Sequence, residues 1–375
     1  MYLKKGFIIK NIIFHYPMPL DFSGSSGSAI RPIKMYEAFV EMGFNVDLVV
    51  GYSYERRKLV TEVVNKIEKG KKYEFCYSES CSIPTLLTDK DHFPRAPFLD
   101  AVFFSKLKKN NIKLAVFYRD IYWKFDDKKY SISKRILKKL LETFYYFDLF
   151  LYKYLVDIVY LPTIEMSVSV PLVNNDKFRA LPPGLDSNNH IDFIGSDTLN
   201  LLYVGGVGEF YGIDKLIDGM ARLEKLKLNV NLTICTRKDE WDKALDSFIR
   251  IPKNINVIHT SGDGLIKAFN ETDVAMLFME PIFYRTFAAP IKLFEYMSFH
   301  KPIIASNSTW AGNFIKKNEL GYCIDYSSIS LVECIKEIID NKSTLEVLTK
   351  KIEQEKALHS WEARCETAIR DIKSL

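Results

Sequence analysis

The feature that most restricts the fold of this chain is an alternation of short apolar, strand-like runs with helix-length segments, met twice. The first series holds strand candidates at 8–14, 45–50, 114–118 and 157–162, with a helix-spaced stretch at 30–41. Leu181-Pro182-Pro183-Gly184-Leu185-Asp186 and the polar run Ser187-Asn188-Asn189-His190 then read as a linker, because proline and glycine interrupt both kinds of regular element. The pattern restarts with a strand at 199–204 ending in Gly205-Gly206, a helix at 213–223, and strands at 229–235, 255–259, 274–278 and 302–306. Strands separated by helical crossovers make parallel α/β sheets, so two Rossmann-like units are expected. A length of 375 residues agrees with two domains. The boundaries read here are 1–183, 184–355 and a C-terminal helix at 356–375, since 343–375 keeps helical spacing with no strand behind it.

Composition sets outer limits. Hydrophobic residues at 47% and charged residues at 26% leave ample apolar material for two cores and exclude a disordered chain. The net charge of +5 is too small and too dispersed to indicate nucleic acid, and suits a diphosphate ligand or an anionic membrane surface. An aromatic content of 14%, with 21 Tyr and 26 Phe, fits sugar-stacking surfaces or a membrane interface. Cys76, Cys81, Cys235, Cys323, Cys334 and Cys365 are scattered without metal-site spacing, and read as buried thiols in a reducing compartment. The first residues run straight into a strand pattern with no leader, and the apolar run 144–161 is broken by Asp148, Lys153 and Asp157. A cytoplasmic location is expected.

One segment carries the most chemical information. Pro290-Ile291-Lys292-Leu293-Phe294-Glu295-Tyr296-Met297 is a helix opened by proline with Lys292 and Glu295 three apart, and Lys301-Pro302-Ile303-Ile304-Ala305-Ser306 follows as a buried strand. A helix start binds phosphate through its free N–H groups and dipole, a lysine in the first turn adds charge, and a glutamate one turn on suits a ribose diol. Read without context, the same two residues are equally a surface ion pair. This P-x-K-L-F-E-Y-M and K-P-I-I-A-S combination resembles the donor-site signature of GT-B glycosyltransferases related to family 4.

That resemblance implies the GT-B fold: two Rossmann-like domains whose parallel sheets face across a cleft, with the C-terminal helix returning to the first domain. It implies that Glu295 binds the ribose of a nucleotide sugar, with Pro290, Ile291 and Lys292 at the donor phosphates. An earlier glutamate of the family's pattern falls at Phe287, a departure from it. Tyr203-Val204-Gly205-Gly206 with Gly212-Ile213-Asp214 resembles the family's first donor-domain strand and glycine-rich turn, placing Gly205 and Gly206 at the donor. The family's usual Arg and Lys there are missing, and Arg237 and Arg285, beside Tyr284, are the available replacements; Arg237 reads equally as a solvated loop cation. In the first domain, Ser23-Gly24-Ser25-Ser26-Gly27 resembles the family's mobile loop near the donor phosphates and acceptor, although such a turn is also common as plain linker.

Arg119 and Asp120 follow the strand at 114–118, so they project from the sheet edge where open α/β sheets place ligands, and are the catalytic candidates. Asp89-Lys90-Asp91 has the form of a metal-holding pair but arises often by chance, so no metal and no cofactor are expected. From 134 to 153, Lys134, Arg135, Lys138, Lys139 and Lys153 accompany Ile136, Leu137, Leu140, Leu141, Phe144 and Phe147, a pattern suited to lying on an anionic leaflet or to an ordinary domain helix with solvated lysines.

The expected activity is hexosyl-type transfer from a nucleotide sugar, UDP-linked, to a glycan or lipid-linked acceptor in bacterial surface polysaccharide or capsule synthesis. Retention of configuration is implied by the resemblance alone, as is attachment to the inner face of the membrane. The rivals are a nucleotide-sugar 2-epimerase of the same fold and a non-catalytic glycosyltransferase-like partner.

Overall fold

The structure is a computed structural model that describes residues 10–22, 27–125, 131–186, 197–245 and 250–375, with backbone alone at Gly27, Ser28 and 132–134. The chain divides into two compact units, Met1–Pro183 with Trp361–Leu375, and Gly184–Ser360.

The first unit contains β1 (Asn11–Tyr16), α1 (Gly27–Glu41), β2 (Asn45–Val50), α2 (Ser53–Glu68), β3 (Phe75–Glu79), α3 (Leu99–Lys109), β4 (Lys113–Phe117), α4 (Ile132–Leu155), β5 (Ile158–Leu161) and β6 (Phe178–Ala180). They form one parallel sheet in the order β2-β1-β3-β4-β5-β6. Central β3 went unread in the sequence. Its Phe75-Cys76-Tyr77-Ser78-Glu79 mixes apolar with polar residues, yet all five are buried, because side-chain partners satisfy Ser78 and Glu79.

The second unit contains β7 (Leu199–Val204), α5 (Asp214–Lys225), β8 (Val230–Cys235), α6 (Lys238–Ala244), β9 (Ile255–Ile258), α7 (Asp263–Asn270), β10 (Val274–Leu277), α8 (Ile291–Ser298), β11 (Ile303–Ser306), α9 (Trp310–Asn318), β12 (Gly321–Ile324), α10 (Ser328–Asp340) and α11 (Ser343–Lys356). Its sheet is parallel in the order β12-β11-β10-β7-β8-β9. Period-two alternation sends Leu201, Tyr203, Ile234 and Met276 into one core and Leu202, Val204, Cys235 and Ala275 into the other, so both faces are covered. That is why these strands read as continuous apolar runs.

The helical stretch 343–375 is two helices rather than one. α11 belongs to the second unit, and α12 (Trp361–Lys373) returns to the first, where Trp361, Cys365, Ala368 and Ile372 join the core that holds Phe14, Phe39 and Tyr160. Among the described residues no helix is long and apolar enough to cross a membrane.

The first unit also buries a polar network. His15 Nδ1 lies 2.8 Å from Ser78 Oγ, His15 Nε2 lies 3.0 Å from Asp100 Oδ1, and Arg56 donates Nε and Nη2 to the two Asp100 oxygens at 2.9 and 2.8 Å. The spacing mimics a Ser-His-Asp triad. Yet Ser78 is only 2% exposed and Arg56 holds both carboxylate oxygens, so the network ties β1, β3, α2 and α3 together instead of meeting a substrate. Asp89 is buried and accepts the Ser53 N–H at 2.8 Å at the start of α2, while Asp91 pairs with Arg95 at 2.5 Å.

Candidate active site

In the second unit the functional side chains gather at the C-terminal edge of the sheet. After β10 the chain passes through a 3-10 turn, Phe283–Thr286, and enters α8 at Pro290, whose φ of −73° and ψ of 132° direct it into the helix. No side chain caps α8, so its first N–H groups point outward from the sheet edge. The inner face, Leu293, Phe294, Tyr296 and Met297, is fully buried, and the Tyr296 hydroxyl accepts the Val204 N–H at 3.0 Å. That bond seats the helix on the end of β7, just before Gly205 and Gly206.

Lys292 and Glu295 form the ion pair that their spacing allows, Nζ to Oε2 at 2.5 Å, with about a third and a quarter of their side chains exposed (32% and 27%). Their charges reach Cys235, the last residue of β8. The pair therefore overlooks the ends of β7 and β8. Gly205 donates to the Cys235 carbonyl at 3.1 Å, and a Cβ on Gly206 would meet the Tyr211 ring, so the glycine lets that ring close over the turn.

The two arginines are engaged otherwise. Arg285 is buried, donates to the carbonyls of Glu280 and Phe210, and lies 5.0 Å from the Phe210 ring, so it staples two loops; burial lowers its pKa. Arg237 is 76% exposed and pairs with Glu240 in the first turn of α6. Phe287 is buried, with its ring 5.7 Å from Phe283 and 5.4 Å from Tyr284. No carboxylate therefore stands where the family pattern has its earlier glutamate. A cavity of about 630 Å³ opens beside this edge, lined by Tyr211, Gly212, Asp214, Glu240, Lys243 and Glu280 among others; Lys292 and Glu295 do not line it. Its wall is acidic, a property no sequence motif disclosed, because its residues come from three separate loops.

In the first unit, Arg119 is held at the end of β4. Its N–H donates to Ser80 Oγ at 3.0 Å, its Nε to the Ser80 carbonyl at 3.3 Å, and its Nη2 lies 3.4 Å from Glu79 Oε2. Asp120 accepts the Tyr122 N–H at 2.8 Å, which shapes the turn after the strand. Sequence reasoning missed Glu79 because it missed β3. Of the glycine-serine loop, Ser23, Gly24, Ser25 and Ser26 lie outside the described residues, and Gly27 opens α1.

Residues 189–355 match the family model of glycosyl transferases group 1. No curated protein sequence matches the chain. Among solved structures, sucrose-phosphate synthase from Thermosynechococcus elongatus is similar with a TM-score of 0.64 at 14% identity, covering 97% of this chain and 99% of that one. HepE of Anabaena, solved in complex with UDP and glucose, has a TM-score of 0.64 at 12% identity over 97% and 100% of the two chains. WaaG, a glycosyltransferase involved in lipopolysaccharide biosynthesis, has a TM-score of 0.57 at 14% identity over 96% and 99%. The chain thus has the GT-B glycosyltransferase fold, and its second unit carries a glycosyl transferases group 1 domain.

Proposed function

We propose that this protein transfers a hexosyl group from a UDP-sugar to a glycan or lipid-linked acceptor in bacterial surface polysaccharide or capsule synthesis, with retention of configuration and without a metal or other cofactor. The observation that carries the reading is α8: an uncapped helix start with Lys292 in its first turn and Glu295 one turn on, at the sheet edge of a group 1 domain. The bond from the sugar's anomeric carbon to the diphosphate oxygen breaks as the acceptor hydroxyl attacks. Charge then grows on the leaving diphosphate, where the α8 N–H groups and Lys292 stabilise it. Glu295 binds the ribose, and Gly205 and Gly206 let the backbone approach. Arg119 and Asp120 serve the reacting sugar and acceptor from the first unit.

Incubation with labelled nucleotide sugars tests this directly. Slow release of free sugar and UDP, unchanged in EDTA, is expected. Loss of turnover in EDTA that manganese restores would reinstate a metal. A 2-epimeric sugar among the products would favour the epimerase. Absence of both binding and turnover would favour the non-catalytic partner, a reading supported by the buried Phe287.

Attachment to the inner membrane face rests on α4. Ile136, Leu140, Phe150 and Tyr154 are each about half exposed or more, and on a helix they fall within about 40° of one stripe. The opposite stripe, Asp148, Leu149 and Tyr152, is buried. An ordinary domain helix shows solvent a polar face; this one shows an apolar face beside Arg135 and Lys139. Such a face enters the headgroup region while its basic flank meets anionic lipid, at roughly 1 kcal/mol per residue. Sedimentation with phosphatidylglycerol vesicles at low salt is expected. Replacing Lys134, Arg135, Lys138 and Lys139 with Ser should abolish it, with circular dichroism unchanged. Wild-type protein left in the supernatant would make α4 purely structural.

A further inference from the structure

We propose that the C-terminal edge of the first unit's sheet is an oxyanion-recognition site built on Arg119, which takes an oxyanion group carried by the acceptor. That the acceptor is the bearer rests on the transferase reading above; the site itself does not.

The argument starts from Glu79. It ends central strand β3 and is fully buried, at 0% exposure. Its Oε1 accepts Arg31 Nε at 3.0 Å and the Tyr77 hydroxyl at 2.7 Å, and its Oε2 faces Arg119 Nη2 at 3.4 Å. A single carboxylate is thus shared between two guanidinium groups. Arg31 is itself fully placed: it donates to the Pro182 carbonyl at 3.2 Å, and its guanidinium sits 3.5 Å from the centre of the Phe117 ring. A third arginine, Arg364 on α12, is buried and donates to the neighbouring Pro183 carbonyl at 3.1 Å. Burial, then the charge of Arg31, pushes Arg364 down to about 9, which marks the region as strongly positive.

Excess positive charge away from water is costly, and an arriving anion offsets it. Of the three arginines, Arg119 is the one at the strand end, with 12% of its side chain exposed. Tyr16, at the end of neighbouring β1, lies within reach of the Arg119 charge. Ser80 and Glu79 hold the guanidinium, so its planar fork is oriented before a ligand arrives, which suits bidentate binding of phosphate or carboxylate. The place agrees too, because open parallel sheets bind ligands beyond the carboxyl ends of their strands.

The test is to follow the arginine Nε resonances of the full chain during titration with inorganic phosphate, with glucuronate, and with chloride at matched ionic strength. The Arg119 signal, assigned by its loss in Arg119→Gln, should shift and saturate with phosphate or glucuronate and not with chloride. The tighter of the two identifies the oxyanion as phosphate or sugar carboxylate. In Arg119→Gln the affinity should fall roughly tenfold or more, and Arg119→Lys should keep part of it. An unmoved Arg119 signal at tens of millimolar of both anions overturns the proposal, as does unchanged phosphate affinity in Arg119→Gln. Anion binding without any sugar transfer would leave the site standing and remove the transferase reading.

Discussion

Replacing Glu295 with alanine is expected to weaken nucleotide-sugar binding by roughly 10- to 150-fold, the loss of one charged hydrogen bond of about 1.5–3 kcal/mol to a ribose hydroxyl. The fold should be untouched. Glu295 is a quarter exposed and its partner in the structure is Lys292, an i,i+3 neighbour. If that ion pair is the whole role of Glu295, its removal costs only about 0–1 kcal/mol of stability and leaves affinity unchanged. Calorimetry with UDP-sugar separates the two outcomes, and unchanged affinity would remove Glu295 from the site. Lys292→Gln provides the complement, because it should weaken binding of UDP-sugar more than that of uridine, which lacks the diphosphate.

The largest loss of stability should come from Asp100→Ala. It strands Arg56, buried at 2% exposure, and His15, at 1%, and breaking a buried pair by removing one partner costs about 3–5 kcal/mol. A fall in Tm on the order of 10 °C is expected by calorimetry. A change within 2 °C would show that the network is redundant.

The same groups set a pH dependence. Burial lowers the pKa of His15, with Asp100 partly opposing. Burial alone would raise Asp100, but the Arg56 charge and the hydrogen bonds from His15 and Arg56 hold it well below the usual carboxylate range. Both folded-state values are depressed, so their stabilisation is present at neutral pH. It is lost as pH falls, through His15 below about 6.5 and then through Asp100 below about 4. Asp148 acts the other way: burial pushes it up to about 7, despite its hydrogen bond from the Thr85 N–H at 2.8 Å. Its contribution is present at acid pH and lost as pH rises through 7. Asp148→Asn should therefore be more stable than wild type at pH 8, and should lose stability steadily from pH 7 to 3.

Much of the fold was legible because it depends on local pattern. A strand covered on both faces must be apolar at every position, and Leu201, Leu202, Tyr203 and Val204 are all buried, so β7 reads directly. β3 escaped because Ser78 and Glu79 are buried by partners far away in sequence, His15, Arg31 and Arg119, which no local pattern discloses. The break between α11 and α12 escaped for a similar reason. Helical spacing runs through it, and what separates the two helices is the core each one joins.

The sequence by itself determined the two parallel α/β units, the linker between them, and the helix start that carries Lys292 and Glu295, since all of these follow from period and from residue chemistry within one segment. Tertiary structure alone decided which charges are available. It turned Arg285 inward onto the carbonyls of Glu280 and Phe210, buried Phe287 among aromatic rings, set Glu79 between two arginines, and left the apolar face of α4 outward. The physical reason is that a side chain's pattern is local whereas its burial and its partners are not. A charge is functional or structural according to what the rest of the chain brings within about 4 Å of it.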